Sequence, residues 1–134
     1  MAGRIQWKIV TMKIDRRSDD VYDYVMNPEN FAEWATSFCR SVRKAGDGEW
    51  RLETTEGEMT LRFAERNPYG IMDHYVRKGT GPERLNPARV VPDGAGSKAI
   101  FTVFLAEDAA DREFAMVFRN VESDLRTLKS VLET

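Results

Sequence analysis

Apolar residues recur along this chain with two different periods. From Asp108 to Leu132, Phe114, Val117, Phe118, Val121, Leu125, Leu128 and Leu132 fall at i, i+3, i+4 and i+7. That spacing lines one face of a helix and predicts a long amphipathic one. Asp108 is placed to cap it, Asp111 suits the positive end of its dipole, and Glu122 and Arg126 stand four apart for an ion pair of about 0.3 kcal/mol. A single apolar stripe of this length needs a sheet to lie on.

Upstream the period is two. Trp50, Leu52 and Thr54 alternate with Glu49, Arg51 and Glu53, and Met59, Leu61 and Phe63 alternate with Glu58, Thr60 and Arg62. The segments Ser37 to Lys44, Glu49 to Thr54 and Gly57 to Phe63 are separated by GDG and TEG, which suit tight turns, and predict an antiparallel meander. NPYG then makes a turn, IMDHYV a strand, and Lys78 to Pro87 a loop rich in Gly and Pro. ARVV, the turn PDGAGS and KAIFTVFL complete the strands. With Arg4 to Ile14 at the start the count is seven. In that first strand Ile5, Trp7 and Ile9 share one face and Val10, Met12 and Ile14 the other, so its buried side is expected to change midway.

Two short helices follow the first strand. Ser18 reads as an N-cap ahead of Asp19 and Asp20, with Val21 and Val25 one turn apart, giving a helix over roughly 19–26. Asn27-Pro28-Glu29 reads as a second start, with Asn as cap and Pro where a missing N–H costs nothing; Phe31 and Trp34 form its apolar side.

Composition narrows the function. At 134 residues the chain is expected to be a single domain spanning 1–134. It is 42% hydrophobic and 31% charged with net charge −2, an ordinary globular balance without the positive excess that attracts phosphate backbones. Nucleic acid is not an expected partner. No apolar run is long enough for a membrane span and MAGRIQWKIV lacks the h-region of a secretory signal, so membrane insertion is not expected and the default location is the cytoplasm. One Cys (Cys39) and one His (His74), without ligand spacing, predict no metal site. PDGAGSK lacks the spacing of a phosphate loop and leads into a strand, so it is read as a turn, and no cofactor is expected.

The element order predicts an α+β helix-grip fold: a seven-stranded curved antiparallel sheet wrapped around a long C-terminal helix, with two short helices after strand one. The segments DDVYDYVMNPENFAEW, GIMDHYV, RVVPDGAGSKAIFTVF and FAMVFRNVESDLRTLKSVLE carry a resemblance to the START-like, or SRPBCC (Bet v 1-like), superfamily and to its bacterial members of the polyketide cyclase/dehydrase type. The resemblance covers nearly the whole chain and implies a ligand pocket between the long helix and the concave sheet. One helix cannot fill that concavity alone, which favours the same conclusion. The expected lining is Trp34, Trp50, Leu52, Met59, Leu61, Phe63, Phe114, Val117, Phe118 and Val121, for each of which ordinary core packing is the plainer account.

The candidate chemistry is sparse. In IMDHYV the period puts Met72, His74 and Val76 on one side and Asp73 on the other, so Asp73 and His74 cannot form a dyad. The apolar company of Met72 and Val76 points His74 inward, leaving Asp73 to pair with Arg62 on the outer face; periodicity alone is equally compatible with the reverse. An inward His74 could act as acid or base, against the plain alternative of a satisfied strand histidine. Arg89 is the other candidate, a cation at the pocket mouth for a carboxylate or phenolate, against an ordinary surface ion pair. Cys39 has no neighbour in sequence to activate it, and the Lys78 to Pro87 loop has the glycines of a lid or of a plain connection. Three functions fit: a carrier of a small hydrophobic or aromatic, lipid- or polyketide-like molecule; an aromatase/cyclase or dehydratase using His74 and Arg89; and an interaction module resembling Hsp90-ATPase activators. A smooth apolar cavity favours the first, paired polar groups in it the second, a filled interior the third.

Overall fold

The computed structural model describes residues 6–105 and 111–134. Strand β1 (Gln6–Ile14) is followed by helix α1 (Ser18–Val25), a single 3-10 turn (Pro28–Asn30) and helix α2 (Phe31–Trp34). Strands β2 (Cys39–Gly46), β3 (Glu49–Thr54), β4 (Gly57–Phe63), β5 (His74–Arg77), β6 (Arg84–Asn86), β7 (Ala88–Asp93) and β8 (Gly96–Leu105) come next, and helix α3 (Asp111–Glu133) ends the chain. The Asn27 side chain accepts from Glu29 N at 3.1 Å, the cap its sequence implies. Ser18 does not cap α1. The first turn closes on the Arg17 carbonyl, which accepts from Asp20 and Val21, so Arg17 is the N-cap and Ser18 the first helical residue. Asp108 lies outside the described residues.

The expected seven-stranded sheet is instead two antiparallel sheets, one of three strands in the order β1-β8-β7 and one of five in the order β2-β3-β4-β5-β6. They are stitched together through 70–72: Ile71 bridges to Arg89, Met72 N donates to Ala88 O at 2.8 Å and Val90 N to Gly70 O at 3.0 Å. Residues expected to extend β5 at its start therefore belong to this seam. The additional strand, β6, comes from the Lys78 to Pro87 segment read as a loop, either a lid or a plain connection. Three residues carry no periodic signal, yet they pair with β5, and Arg62 holds the neighbouring Glu83 through two charge-assisted hydrogen bonds at 2.9 and 3.1 Å.

Register fixes the faces, because residues directly opposite in antiparallel strands share a side. Trp50 faces Leu61, which faces Val76; Leu52 faces Met59; Phe63 faces His74, which faces Asn86. These form the inner face of the five-stranded sheet. In the other sheet Val10 and Ala88 flank Phe101 on the buried side, while Trp7 pairs with Phe104 and Ile9 with Thr102 on the outer side. The buried side of β1 does not change midway: Trp7 and Ile9 are 62% and 52% exposed, since α3 covers only the face carrying Val10 and Ile14.

Helix α3 runs in the same direction as β1, from Lys8 over the Phe118 ring to Lys129 Nζ on Lys13 O at 3.0 Å and Glu133 on Asp15 N at 2.7 Å. Leu125, Leu128 and Leu132 are buried along it. The expected Glu122–Arg126 contact is not among the ion pairs of the described residues; the i,i+4 pair on α3 is Lys129–Glu133 at 2.6 Å. Asp124 sits among the buried leucines and accepts from Ser37 N at 2.9 Å and Ser37 Oγ at 2.7 Å, tying the helix to the segment between α2 and β2.

Candidate functional site

His74 reaches its position through the turn before it. Asn67 Oδ1 accepts from Tyr69 N and Ile71 N, Asn67 Nδ2 donates to the carbonyls of Glu65 and Ile71, and Asn67 N donates to Tyr22 Oη. Gly70, with φ +73, passes so close to β7 that a Cβ would stand 2.3 Å from Val90 O. This seam delivers Met72 and His74 to the interior in turn with Asp73, whose carboxylate accepts from Ala88 N at 2.9 Å. Asp73 therefore does not pair with Arg62. The seam holds its side chain against β7, and Arg62 is engaged with Glu83 and with the Tyr75 ring, 4.1 Å from its centroid.

The imidazole of His74 is surrounded by aromatic rings, with centroid separations of 5.2 Å to Phe63, 5.8 Å to Phe31 and 6.3 Å to Phe101. Burial lowers its pKa from the ordinary 6.5, against smaller raising contributions from the Met72 carbonyl and Asp73. The ring is thus neutral at neutral pH. Its Nδ1 stands 3.1 Å from Met72 O. A carbonyl can only accept, so the proton sits on Nδ1 and the Nε2 lone pair faces outward from that bond. Nε2 makes no hydrogen bond among the described residues. His74 is equipped to accept a proton or a hydrogen bond and not to donate from Nε2.

Trp34 is the second polar group of this cluster. Its ring lies 5.3 Å from Phe31 and 5.8 Å from Phe101, the same two rings that contact His74, and its buried Nε1–H has no hydrogen-bond partner among the described residues. The third is Asn86, directly across from His74 on β6, its Nδ2 donating to Arg84 O at 3.2 Å and to His74 O at 3.5 Å. Asn86 carried no sequence signal, because it lies in what reads as a loop.

The other expected residues divide by burial. Leu52, Met59, Leu61 and Phe114 are core, while Trp50 and Phe63 on the sheet and Val117, Phe118 and Val121 on α3 remain partly exposed, as does Val76. The main packing of α3 is on β1, β8 and α2. Partly covered apolar side chains are thus left on the five-stranded sheet and on the first half of the helix. Arg89 is not with them: it is exposed on the outer side of β7, opposite Ile100, because Val90 and Ala88 take the buried positions. It cannot reach an interior ligand. Cys39 is buried, bonded to Ser41 O at 3.4 Å, and desolvation pushes its thiol pKa up to about 11, the opposite of activation. Two open surface depressions, of about 320 and 610 Å³, lie beside the start of α1, one against the Gly94–Gly96 turn and one against Arg66 and Asn67. Neither coincides with the His74 cluster.

No protein-family profile and no curated protein matches the chain. Solved structures do. The Zhui aromatase/cyclase from Streptomyces sp. R1128 superposes with a TM-score of 0.76 at 16% identity, over 97% of this chain and 94% of its own. Ara h 8.0201 gives 0.72 at 11%, over 96% and 98%. A START superfamily protein from Mycobacterium smegmatis gives 0.70 at 11%, over 95% and 97%. What is shared at these identities is the fold. That fold, curved antiparallel sheets with a long C-terminal helix, is the one these solved structures have. Among the described residues no helix is long and apolar enough to cross a membrane.

Proposed function

We propose that the protein binds a small hydrophobic or aromatic molecule between the first half of α3 and the inner face of the five-stranded sheet. The observation that carries this reading is the set of partly exposed apolar side chains on the two elements, Trp50, Phe63 and Val76 on the sheet and Val117, Phe118 and Val121 on the helix, with Phe63 also in contact with His74. Apolar surface left uncovered in this way gains about 25 cal/mol per Å² when a ligand removes it from water. The solved structures of like fold, one of them an aromatase/cyclase, agree with such a role. Native mass spectrometry of the purified protein is expected to show a retained small molecule, or a neutral aromatic compound is expected to bind on calorimetric titration. An empty protein that takes up no member of a broad hydrophobic library would end the reading.

A second reading is favoured by one feature. A neutral His74 with a free Nε2 lone pair is a competent general base for removing a proton next to a carbonyl. Under this reading a polyketide-like substrate would be enolised or dehydrated. His74→Phe is then expected to abolish turnover while leaving binding; an unchanged rate would leave the carrier reading alone.

A further inference from the structure

Two edge strands of this fold are finished differently. Strand β2, an edge of the five-stranded sheet, is interrupted by register shifts at Cys39–Ser41 and Lys44–Gly46 and exposes Arg40, Arg43 and Lys44. Bulges and cations on an edge discourage pairing with another chain. Strand β1, an edge of the three-stranded sheet, pairs with β8 along its whole length without a shift and exposes Trp7 and Ile9. Thr102 N donates to Pro87 O on the β7 side, so Ile9, which faces Thr102, turns its N–H and C=O away from β8. The same alternation holds at Lys13 and Asp15, whose O and N are taken at the edge by Lys129 and Glu133 of α3. Trp7 and Thr11 share the outward direction of Ile9. The backbone groups of these three residues have no partner there among the described residues.

We propose that this edge pairs with β1 of a second copy, antiparallel about a two-fold axis at Ile9. That register sets Ile9 against the partner's Ile9 and Trp7 against the partner's Thr11, so the outward groups of all three residues are bonded. On the inner face it sets Lys8 against the partner's Val10. Charge complements the match. Glu122 lies seven and eleven positions before Lys129 and Glu133, hence on the same side of α3, turned to the edge of β1. Phe118 meets Lys8 and Lys129 meets Lys13, so Glu122, one turn beyond Phe118, stands near the level of Val10. Glu122 has no ion pair among the described residues, and the partner's Lys8 supplies one. An axis at Lys8 would oppose two lysines directly, and an axis at Thr11 would need the Lys13 carbonyl that Lys129 occupies. Residues 7–11 and two exposed apolar side chains are a small interface beside the ~800 Å² per partner of standard complexes, so the dimer is concentration-dependent.

Sedimentation equilibrium from micromolar to millimolar protein, with hydrogen exchange read residue by residue, tests this. The wild type is expected to pass from monomer to dimer over that range. The amides of Trp7, Ile9 and Thr11 are expected to gain roughly tenfold protection with concentration, whereas Lys8 and Val10, turned to β8, stay protected throughout. Ile9→Pro removes the central N–H, which no bond within the described residues uses, and is expected to leave a monomer. Lys8→Glu and Glu122→Lys are each expected to weaken association roughly tenfold, and the two together to restore it. The wild-type amides and the charge exchange decide the matter even if Ile9→Pro fails to fold. A wild type that stays monomeric at millimolar concentration would overturn the proposal and leave the edge to a different chain. A dimer that survives in folded Ile9→Pro, that leaves the three amides exchanging as in the monomer, or that the double charge exchange does not restore would overturn it too.

Discussion

At the scale of single residues, burial moves the pKa values of His74 and Asp124 with opposite consequences for stability. His74 has its folded value lowered below 6.5, so the stability that depends on its neutral ring is complete above that pH and is lost as pH falls through the folded value. The wild-type urea midpoint is expected to fall relative to His74→Phe between about pH 7 and about pH 5, and parallel profiles would assign the titration elsewhere. Asp124 has its pKa raised by desolvation, against the lowering hydrogen bonds from Ser37. Its contribution is complete below the ordinary carboxylate value of 3.8 and declines as pH rises through the raised value. Asp124→Asn, which keeps an oxygen for Ser37 N, is expected to flatten that part of the profile. Gly70→Ala is a third case: a positive φ combined with Val90 O in the place of a Cβ is expected to cost at least ~2 kcal/mol in a denaturation measurement, whereas Gly94→Ala, also at positive φ but with open space around it, should cost less.

At the scale of elements, α3 is held by two different kinds of contact. Its second half buries Leu125 and Leu128 completely, and Leu128→Ala is expected to destabilise by roughly 2–5 kcal/mol. Its middle depends on the Asp124–Ser37 link, where Asp124→Ala strands the Ser37 N–H and is expected to cost about 1–3 kcal/mol by urea denaturation. The elements also show what could be read in advance. Strands β3 and β4 match their expected bounds to the residue, because one wet face and one buried face impose a strict alternation. The three residues of β6 are too few to show a period, and the seam at 70–72 pairs through backbone groups that any sequence possesses. The link from Asp124 joins positions 87 apart in sequence, and nothing local marks it.

At the scale of the whole molecule, the curved sheets and α3 enclose a core that is tightly filled around Leu52, Leu61 and Met72 and less completely covered towards Trp50, Val117 and Phe118. A ligand that settles on the partly covered side binds the folded chain and not the unfolded one. At a hundred times its dissociation constant it should add about 2.7 kcal/mol of stability. Thermal unfolding with and without a neutral aromatic compound such as naphthol is expected to show the corresponding rise in midpoint, and an unchanged midpoint at saturation would contradict binding to the folded interior.

The sequence by itself determined the order of the elements apart from β6, the long helix, the inner and outer sides of β3 and β4, and the separation of Asp73 from His74, because each follows from local periodicity. Only the tertiary structure decided that His74 faces inward, that its proton rests on Nδ1 and that Trp34 shares its aromatic surroundings. Tertiary structure also set Asn86 across from His74 and turned Arg89 to the outside. Those outcomes depend on strand register and on which sheet a short segment joins, and both are fixed by contacts between residues far apart in the chain.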